Sequence, residues 1–162
     1  MSVDIDGGKA LLVRGADAET VGGAPITTWL LAEGDPTGGS VSAIRSKMAR
    51  STGGPPPHYH VGSAEIFFVI EGGLRVLAGE EVITAGEGDL LLVPPGMPHA
   101  FRTTEDSGVD MLVLKPTAER FEYFRLADRI RRGQASPAEI LAKQDIFDNH
   151  FVDSSVWAEE LR

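Results

Sequence analysis

Three of the four histidines in this chain lie in one stretch, residues 53–103, beside a glutamate and between turns of glycine and proline. His58 and His60 form an H-x-H pair directly after three consecutive prolines. Because residues i and i+2 of a strand point to the same face, both imidazoles project one way and the intervening tyrosine projects the other. Glu65 follows a turn of small residues, and His99 follows a second turn that contains three prolines. A fold that uses these residues together must bring their separate strands to one point.

Three neutral imidazoles and one carboxylate can hold a divalent metal ion and leave one or two coordination positions open. An isolated H-x-H pair is commonly solvated, and a lone glutamate before an apolar run is usually a strand-edge charge. The joint pattern favours a site for one divalent metal ion, with His58, His60, Glu65 and His99 as ligands. Iron, manganese, nickel, cobalt, copper and zinc all accept these ligands, so the metal is not identified. His150 matches no motif, and we expect it on the surface.

Composition and charge limit the partners of this chain. Its 162 residues suit a single domain with a substantial core. A net charge of −9 argues against binding to nucleic acid or to an anionic membrane. The lack of cysteine excludes a disulfide framework and a thiolate nucleophile. No apolar segment approaches ~20 residues and no secretory signal is visible, so we expect a cytoplasmic protein that does not span a membrane.

Short strands separated by turn residues characterise residues 26–116, which we predict to form an antiparallel β-barrel or β-sandwich. Residues 65–70 and 74–77 are expected to pair as a hairpin across Gly72 and Gly73. Periodicity alone does not decide between barrel and sandwich.

The hydrophobic pattern indicates which faces are buried for one further predicted strand but not for another. Residues 90–93 are continuously apolar, which is typical of a strand buried on both faces. In the strand over residues 41–48, either the basic or the apolar side chains face the interior, and the pattern leaves both options open.

The segments on either side of the predicted barrel have a different character. Residues 1–25 form an N-terminal arm with a candidate edge strand at residues 10–14. Residues 117–162 form a C-terminal helical segment packed on the barrel, in which Thr117 caps a first helix. A capping box with proline at the first helical position begins a second helix at residue 137. The aromatic residues of the tail either pack against the barrel or form a lid over its mouth.

Strand alternation also predicts which side chains line the interior. If Glu65 points inward, Phe67 does so as well, and if His99 points inward, so does Phe101. The two phenylalanines then line an apolar pocket around the charged site, or simply fill the core. Such a pocket suits a small organic substrate that offers one or two oxygen atoms to the metal.

The spacing of these residues resembles that of the cupins. Their first motif reads H-x-H, three or four residues, Glu, six residues, Gly, and this sequence matches it from His58 to Gly72. Their second motif reads Gly, five residues, Pro-x-Gly, two residues, His, and the match runs from Gly88 to His99. The glycine that opens the first motif is displaced, and a threonine replaces the asparagine that often closes the second. Neither departure affects a ligand.

The resemblance implies an all-β fold, an antiparallel jelly-roll barrel with the metal inside and with C-terminal helices. Related cupins pair two barrels, so we also expect a homodimer, with residues 10–14 as the edge-pairing or exchanged segment.

The resemblance leaves three functions open. The chain is similar to the quercetin 2,3-dioxygenase-like cupins, which implies a metal-dependent dioxygenase of an enolic or phenolic substrate, with Glu65 as both ligand and general base. A second option is a non-redox cyclase or isomerase that uses the metal as a Lewis acid. The third is a cupin that binds a small ligand without catalysis. The fold hosts all three, so it ranks them only weakly.

Overall fold

The computed structural model describes residues 10–162, which form ten strands and four α-helices. The strands are β1 (Glu19–Gly23), β2 (Ile26–Ala32), β3 (Val41–Met48), β4 (His58–Tyr59), β5 (Glu65–Ala78), β6 (Glu81–Gly86), β7 (Leu90–Val93), β8 (His99–Arg102), β9 (Val109–Pro116) and β10 (His150–Phe151). The helices are α1 (Phe121–Arg131), α2 (Pro137–Ala142), α3 (Gln144–Phe147) and α4 (Ser155–Glu160). Across this described range, every helix is too short or too polar to cross a bilayer.

All strand pairs among the described residues are antiparallel, and they form two sheets joined through β5. The first sheet contains β1, β2, β3, β9, the first half of β5 and β7. The second sheet contains the second half of β5 with β6, β8, β4 and β10. Apolar side chains from both sheets form one buried cluster between them. The predicted all-β jelly-roll barrel with C-terminal helices is confirmed.

The hairpin predicted across Gly72 and Gly73 is wrong, because β5 continues through both glycines for 14 residues. Gly72 has φ +79°, and a Cβ there would lie 2.0 Å from the carbonyl oxygen of Gly108. The pairing of β5 with β9 also has an irregular register between Val69 and Glu71. The glycines therefore mark the place where one strand leaves the first sheet for the second, a role that turn propensity does not distinguish from a hairpin.

The structure shows which face of β3 points inward, a choice that its sequence left open. Ile44 and Met48 are buried in the core. Arg45 and Lys47 point outward and form ion pairs with Asp110 on β9, with N–O distances of 2.5 and 3.3 Å. The apolar side chains therefore face the interior, as the free energy of burial requires.

The expectation that β7 is buried on both faces is wrong. Leu90 and Leu92 are 65% and 53% exposed, and they lie opposite Phe68 and Ile66 of β5, of which Phe68 is also exposed. Leu90, Leu92 and Phe68 form an apolar strip on the outside of the first sheet. The homodimer remains a prediction, and a second copy would remove such a strip from water.

The strand predicted at residues 10–14 is also wrong. These residues form no regular structure, and Leu11 and Leu12 are exposed. The edge strand of this region is β1, which pairs only with β2 among the described residues. The first nine residues of the predicted arm lie outside the described range.

The first helix does not use Thr117 as its cap; Thr117 has φ +52° and α1 begins later. Instead Glu33, just after β2, accepts hydrogen bonds from the backbone N–H groups of Arg120 (2.6 Å) and of the next residue (3.0 Å). A carboxylate at this position also interacts favourably with the positive end of the helix dipole. The second helix has the predicted capping box, formed by Ser136 and Glu139.

The C-terminal segment returns to the barrel after its helices. β10 pairs with β4, so that His150 lies opposite Tyr59 and stacks on it with ring centroids 5.1 Å apart. The side chain of His150 is 23% exposed, so this residue is partly accessible and partly covered by its contact with Tyr59. Trp157 of α4 is buried against Leu77 on the outer face of the second sheet.

Candidate metal centre

The second sheet places the three motif histidines side by side. β4 and β8 pair so that His58 lies directly opposite His99, with ring centroids 4.3 Å apart. The ring of His60, which follows β4, lies 5.0 Å from each of the other two rings. All three side chains are buried. The shared face that i, i+2 spacing predicts is therefore completed by a cross-strand neighbour.

Glu65, the first residue of β5, faces the histidines from its place beside β7 in the first sheet. Its Oε2 lies 2.8 Å from Nε2 of His99 and 3.3 Å from Nε2 of His60. One potential ligand atom from each of the four residues lies within 4.8 Å of the other three. The barrel thus brings together the complete set that the sequence indicates.

Backbone carbonyls fix the orientation of each imidazole. Nδ1 of His58 and of His99 donates to the carbonyl two residues earlier, at 2.9 and 3.0 Å. Nδ1 of His60 donates to the carbonyl of Asp148, at 2.6 Å. Because a carbonyl oxygen can only accept, Nδ1 carries the hydrogen and Nε2 is left with its lone pair. Three oriented Nε2 atoms and one carboxylate fit a divalent transition metal.

The electrostatics of the cluster give its members the protonation states that a metal requires. Burial, together with the neighbouring His99, lowers the pKa of His58 to about 3. Burial also lowers the pKa of His60. Burial alone would raise the pKa of Glu65, but the neighbouring imidazoles of His60 and His99, which can donate to the carboxylate when they are protonated, hold it well below its usual range. At neutral pH, His58 and His60 are therefore uncharged and the carboxylate is ionised.

Asp148, which no motif indicates, attaches the C-terminal segment to the histidines. Its carbonyl orients His60, and its carboxylate accepts hydrogen bonds from the backbone N–H groups of Val61 (2.7 Å) and Gly62 (2.8 Å). Asp148 adopts φ +48°, a conformation that aspartate tolerates better than most residues. Because 88 residues separate it from His60, no local sequence signal could have revealed this contact.

A cavity of about 370 Å³ lies next to the cluster. His58 and Glu65 line it together with Phe67 and Phe101, whose rings meet edge to face with centroids 5.5 Å apart. The C-terminal segment supplies further wall from α1, α2 and Phe151. The aromatic residues of this segment therefore serve two purposes, since Trp157 packs on the barrel and Phe151 contacts the cavity.

Three buried polar residues near the cluster were not predicted from the sequence. Lys115 of β9 is 2% exposed, and burial, together with the positive charge of Arg120, lowers its pKa to about 8. Arg120 and Asn149 both line the cavity. Among residues 10–162, the Nζ of Lys115, the Nε of Arg120 and the Nδ2 of Asn149 have no hydrogen-bond partner. Strand parity could have indicated Lys115, which shares the inward face of β9 with Val113, but no signal pointed to the other two.

Comparison with known proteins gives a family match over part of this chain and a likeness of fold to solved structures. Residues 45–115, which include the four clustered residues, match the family model described as a cupin domain. A search of curated proteins gave no match.

Solved structures with a similar fold come from several bacteria. An RmlC-like cupin from Shewanella frigidimarina is 16% identical, with 71% of this chain and 96% of that chain covered and a TM-score of 0.58. The polyketide cyclase RemF from Streptomyces resistomycificus is 20% identical, with coverage of 67% and 80% and a TM-score of 0.57. The nucleoside dehydratase Pac13 from Streptomyces is 20% identical, with coverage of 72% and 88% and a TM-score of 0.55. At this level of identity the likeness concerns the fold alone.

Proposed function

We propose that this protein, which has the cupin fold, is a metal-dependent enzyme acting on a small organic substrate. One observation carries the proposal: three buried imidazoles with oriented Nε2 atoms and one carboxylate converge beside an apolar cavity. Buried polar groups are normally hydrogen-bonded within the protein. A cluster with a purely structural role would therefore need neither free Nε2 lone pairs nor a cavity beside them. The full set of ligands also argues against a cupin that only binds a ligand.

The first candidate reaction is dioxygenation of an enolic or phenolic substrate, with both atoms of O₂ entering the product. When bound, a redox-active divalent metal would supply the reactivity toward oxygen. Glu65 is the group of the cluster that can accept the substrate's hydroxyl proton, since it is ionised and lines the cavity. Phe67 and Phe101 exclude water and orient an aromatic or planar substrate by packing against it.

The second candidate reaction is a non-redox cyclisation, dehydration or isomerisation, with the metal as Lewis acid. The positively charged Lys115 and Arg120 favour it, because buried cations stabilise an enolate that forms without oxygen. RemF and Pac13 are a cyclase and a dehydratase by name, so the fold accommodates such chemistry, although fold likeness does not transfer it.

Metal analysis followed by oxygen-electrode measurements separates the two reactions. Samples loaded with iron, nickel, manganese, copper or zinc would be tested with flavonols, 1,3-diketones and catechols. Oxygen uptake that requires a redox-active metal supports the dioxygenase. Conversion by the zinc form without uptake supports the Lewis-acid enzyme. If no probe is converted but one of them raises the melting temperature of the metal-loaded protein, a ligand-binding cupin replaces both.

Glu65→Gln tests the proposed base, because it keeps a ligating oxygen atom and removes the proton acceptor. We expect this variant to keep appreciable metal and to lose turnover by ~10²-fold or more. Glu71→Gln is the matched control, since Glu71 lies on the same strand but is exposed. Equal turnover of metal-loaded Glu65→Gln and wild type would contradict the base role.

A further inference from the structure

The guanidinium of Arg120 is held in the cavity wall by three contacts. Its Nη1 donates to the carbonyl of Phe147 at 2.6 Å, and its Nη2 donates to Oδ1 of Asn149 at 3.2 Å. Its Cζ lies 4.4 Å from the centroid of the Tyr123 ring. The residue is only 5% exposed, so these contacts leave the planar group little freedom. A rigid guanidinium is preorganised for a ligand, because little side-chain entropy remains to be lost on binding.

This buried cation has no anionic partner among residues 10–162. The ion pairs of this range involve five other arginines and do not include Arg120. Glu33 contacts only its backbone N–H, at 2.6 Å. Asp128, which also lines the cavity, is already paired with Arg131 and Arg132. A buried charge is normally paired, so the wall carries a positive charge that the described chain does not neutralise.

Asn149 adds a second donor whose direction is fixed by chemistry. Arginine has N–H donors and no acceptor, so the side-chain amide of Asn149 must turn its oxygen toward Arg120. Its Nδ2 then faces away, and neither this atom nor Nε of Arg120 has an acceptor among the described residues. Asn149 is 1% exposed. Two buried N–H donors on touching side chains therefore lack an acceptor, and both residues line the same cavity.

We propose that Arg120 and Asn149 form a carboxylate-binding subsite, so that the substrate is a small organic acid. Two donors from one rigid pair match the two oxygens of a carboxylate, and the charge of Arg120 matches its anion. The nearby Lys115, also buried and without an ion pair in the described range, adds to the positive potential. This inference rests on the proposed function for its choice of substrate, whose other end carries the oxygen atom that faces the metal cluster.

Isothermal titration calorimetry with benzoate and its neutral analogue benzamide tests the subsite. Both fit an apolar cavity of about 370 Å³ and differ mainly in charge. The titrations use zinc-loaded protein and protein treated with EDTA, because benzoate can also bind a metal directly. We expect wild type to bind benzoate at least ~10-fold more tightly than benzamide in both forms. Equal affinity for the two probes in the metal-free form would overturn the proposal.

Variants locate the binding within the cavity. Asn149→Asp keeps the acceptor for Arg120 but replaces the free donor with a negative charge, so benzoate affinity should fall at least ~10-fold. Arg120→Gln should do the same, although loss of its contact with Phe147 can impair folding, which circular dichroism would reveal. Arg129→Gln, on the same helix but exposed, is the matched control and should bind benzoate like wild type. Unchanged affinity in folded Asn149→Asp would also overturn the proposal.

Two combinations of results distinguish a failure of this subsite from a failure of the proposed metal-dependent function. Protein that binds no metal, but prefers benzoate through Asn149, would refute the metal function and leave the anion subsite standing. Protein with a full complement of metal, but no preference for benzoate, would do the opposite.

Discussion

The buried histidines should make the stability of the metal-free protein strongly dependent on pH between about 5 and 6. Burial lowers the pKa of His58 to about 3, whereas the ordinary pKa of an exposed imidazole is 6.5. The pKa of His60 is lowered as well. Below pH 6.5 the unfolded chain therefore takes up protons that the folded protein does not. The free energy of unfolding is highest above this value and decreases as the pH falls toward 3.

The expected effect is large relative to the stability of a domain. The interval between 6.5 and about 3, at about 1.4 kcal/mol per pH unit, corresponds to about 5 kcal/mol for His58 alone. Stabilities of domains are typically about 5–15 kcal/mol, so acid should unfold the metal-free protein before the carboxylates of the core are fully protonated. The ordinary pKa values of aspartate and glutamate side chains are 3.8 and 4.5, so histidines dominate the change in stability between about pH 5 and 6.

Urea unfolding of EDTA-treated protein at several pH values measures this dependence. His58→Gln should reduce the slope by about one proton, or about 1.4 kcal/mol per pH unit, because a neutral side chain then replaces the imidazole in both states. Wild type saturated with zinc should be more stable throughout and should also lose stability on acidification, since protons compete with the metal. A slope that is the same in wild type and folded His58→Gln would refute the reasoning.

Four other predictions concern individual residues and assembly. Lys115→Met should raise the free energy of unfolding at neutral pH by ~1–3 kcal/mol in urea titrations, since it removes a buried cation without an ion pair in the described range. Gly72→Ala should cost more than ~2 kcal/mol, because its Cβ would clash with a backbone carbonyl; Gly79→Ala, at φ +66° with open space, should cost only ~1–2 kcal/mol. His60→Ala should lose most bound metal by elemental analysis and still fold by circular dichroism, since apolar strands carry the stability. Light scattering should give a dimer, and a mass of 17.3 kDa at micromolar concentration would contradict the predicted homodimer.

Much of the candidate site could be predicted because its signals are local. Strand alternation sets His58 and His60 on one face, and it likewise aligns Glu65 with Phe67. The capping box at Ser136 uses groups three residues apart, so the start of α2 is visible in the sequence. The turn residues between the strands indicated a barrel or sandwich, and the spacing of the motif residues favoured the cupin barrel.

Only the tertiary structure decided where distant segments meet. Gly72 has the same turn propensity whether its strand reverses direction or passes from one sheet to the other. Its close packing against a neighbouring carbonyl in the folded structure shows that the strand continues. In the local sequence, Arg120 is an ordinary polar residue before a helix, but folding buries it beside Asn149. Asp148 orients a histidine across 88 residues of chain. Such contacts depend on the path of the whole backbone, whereas propensity and periodicity describe only near neighbours, so the sequence alone indicated the metal ligands but not the charged wall beside them.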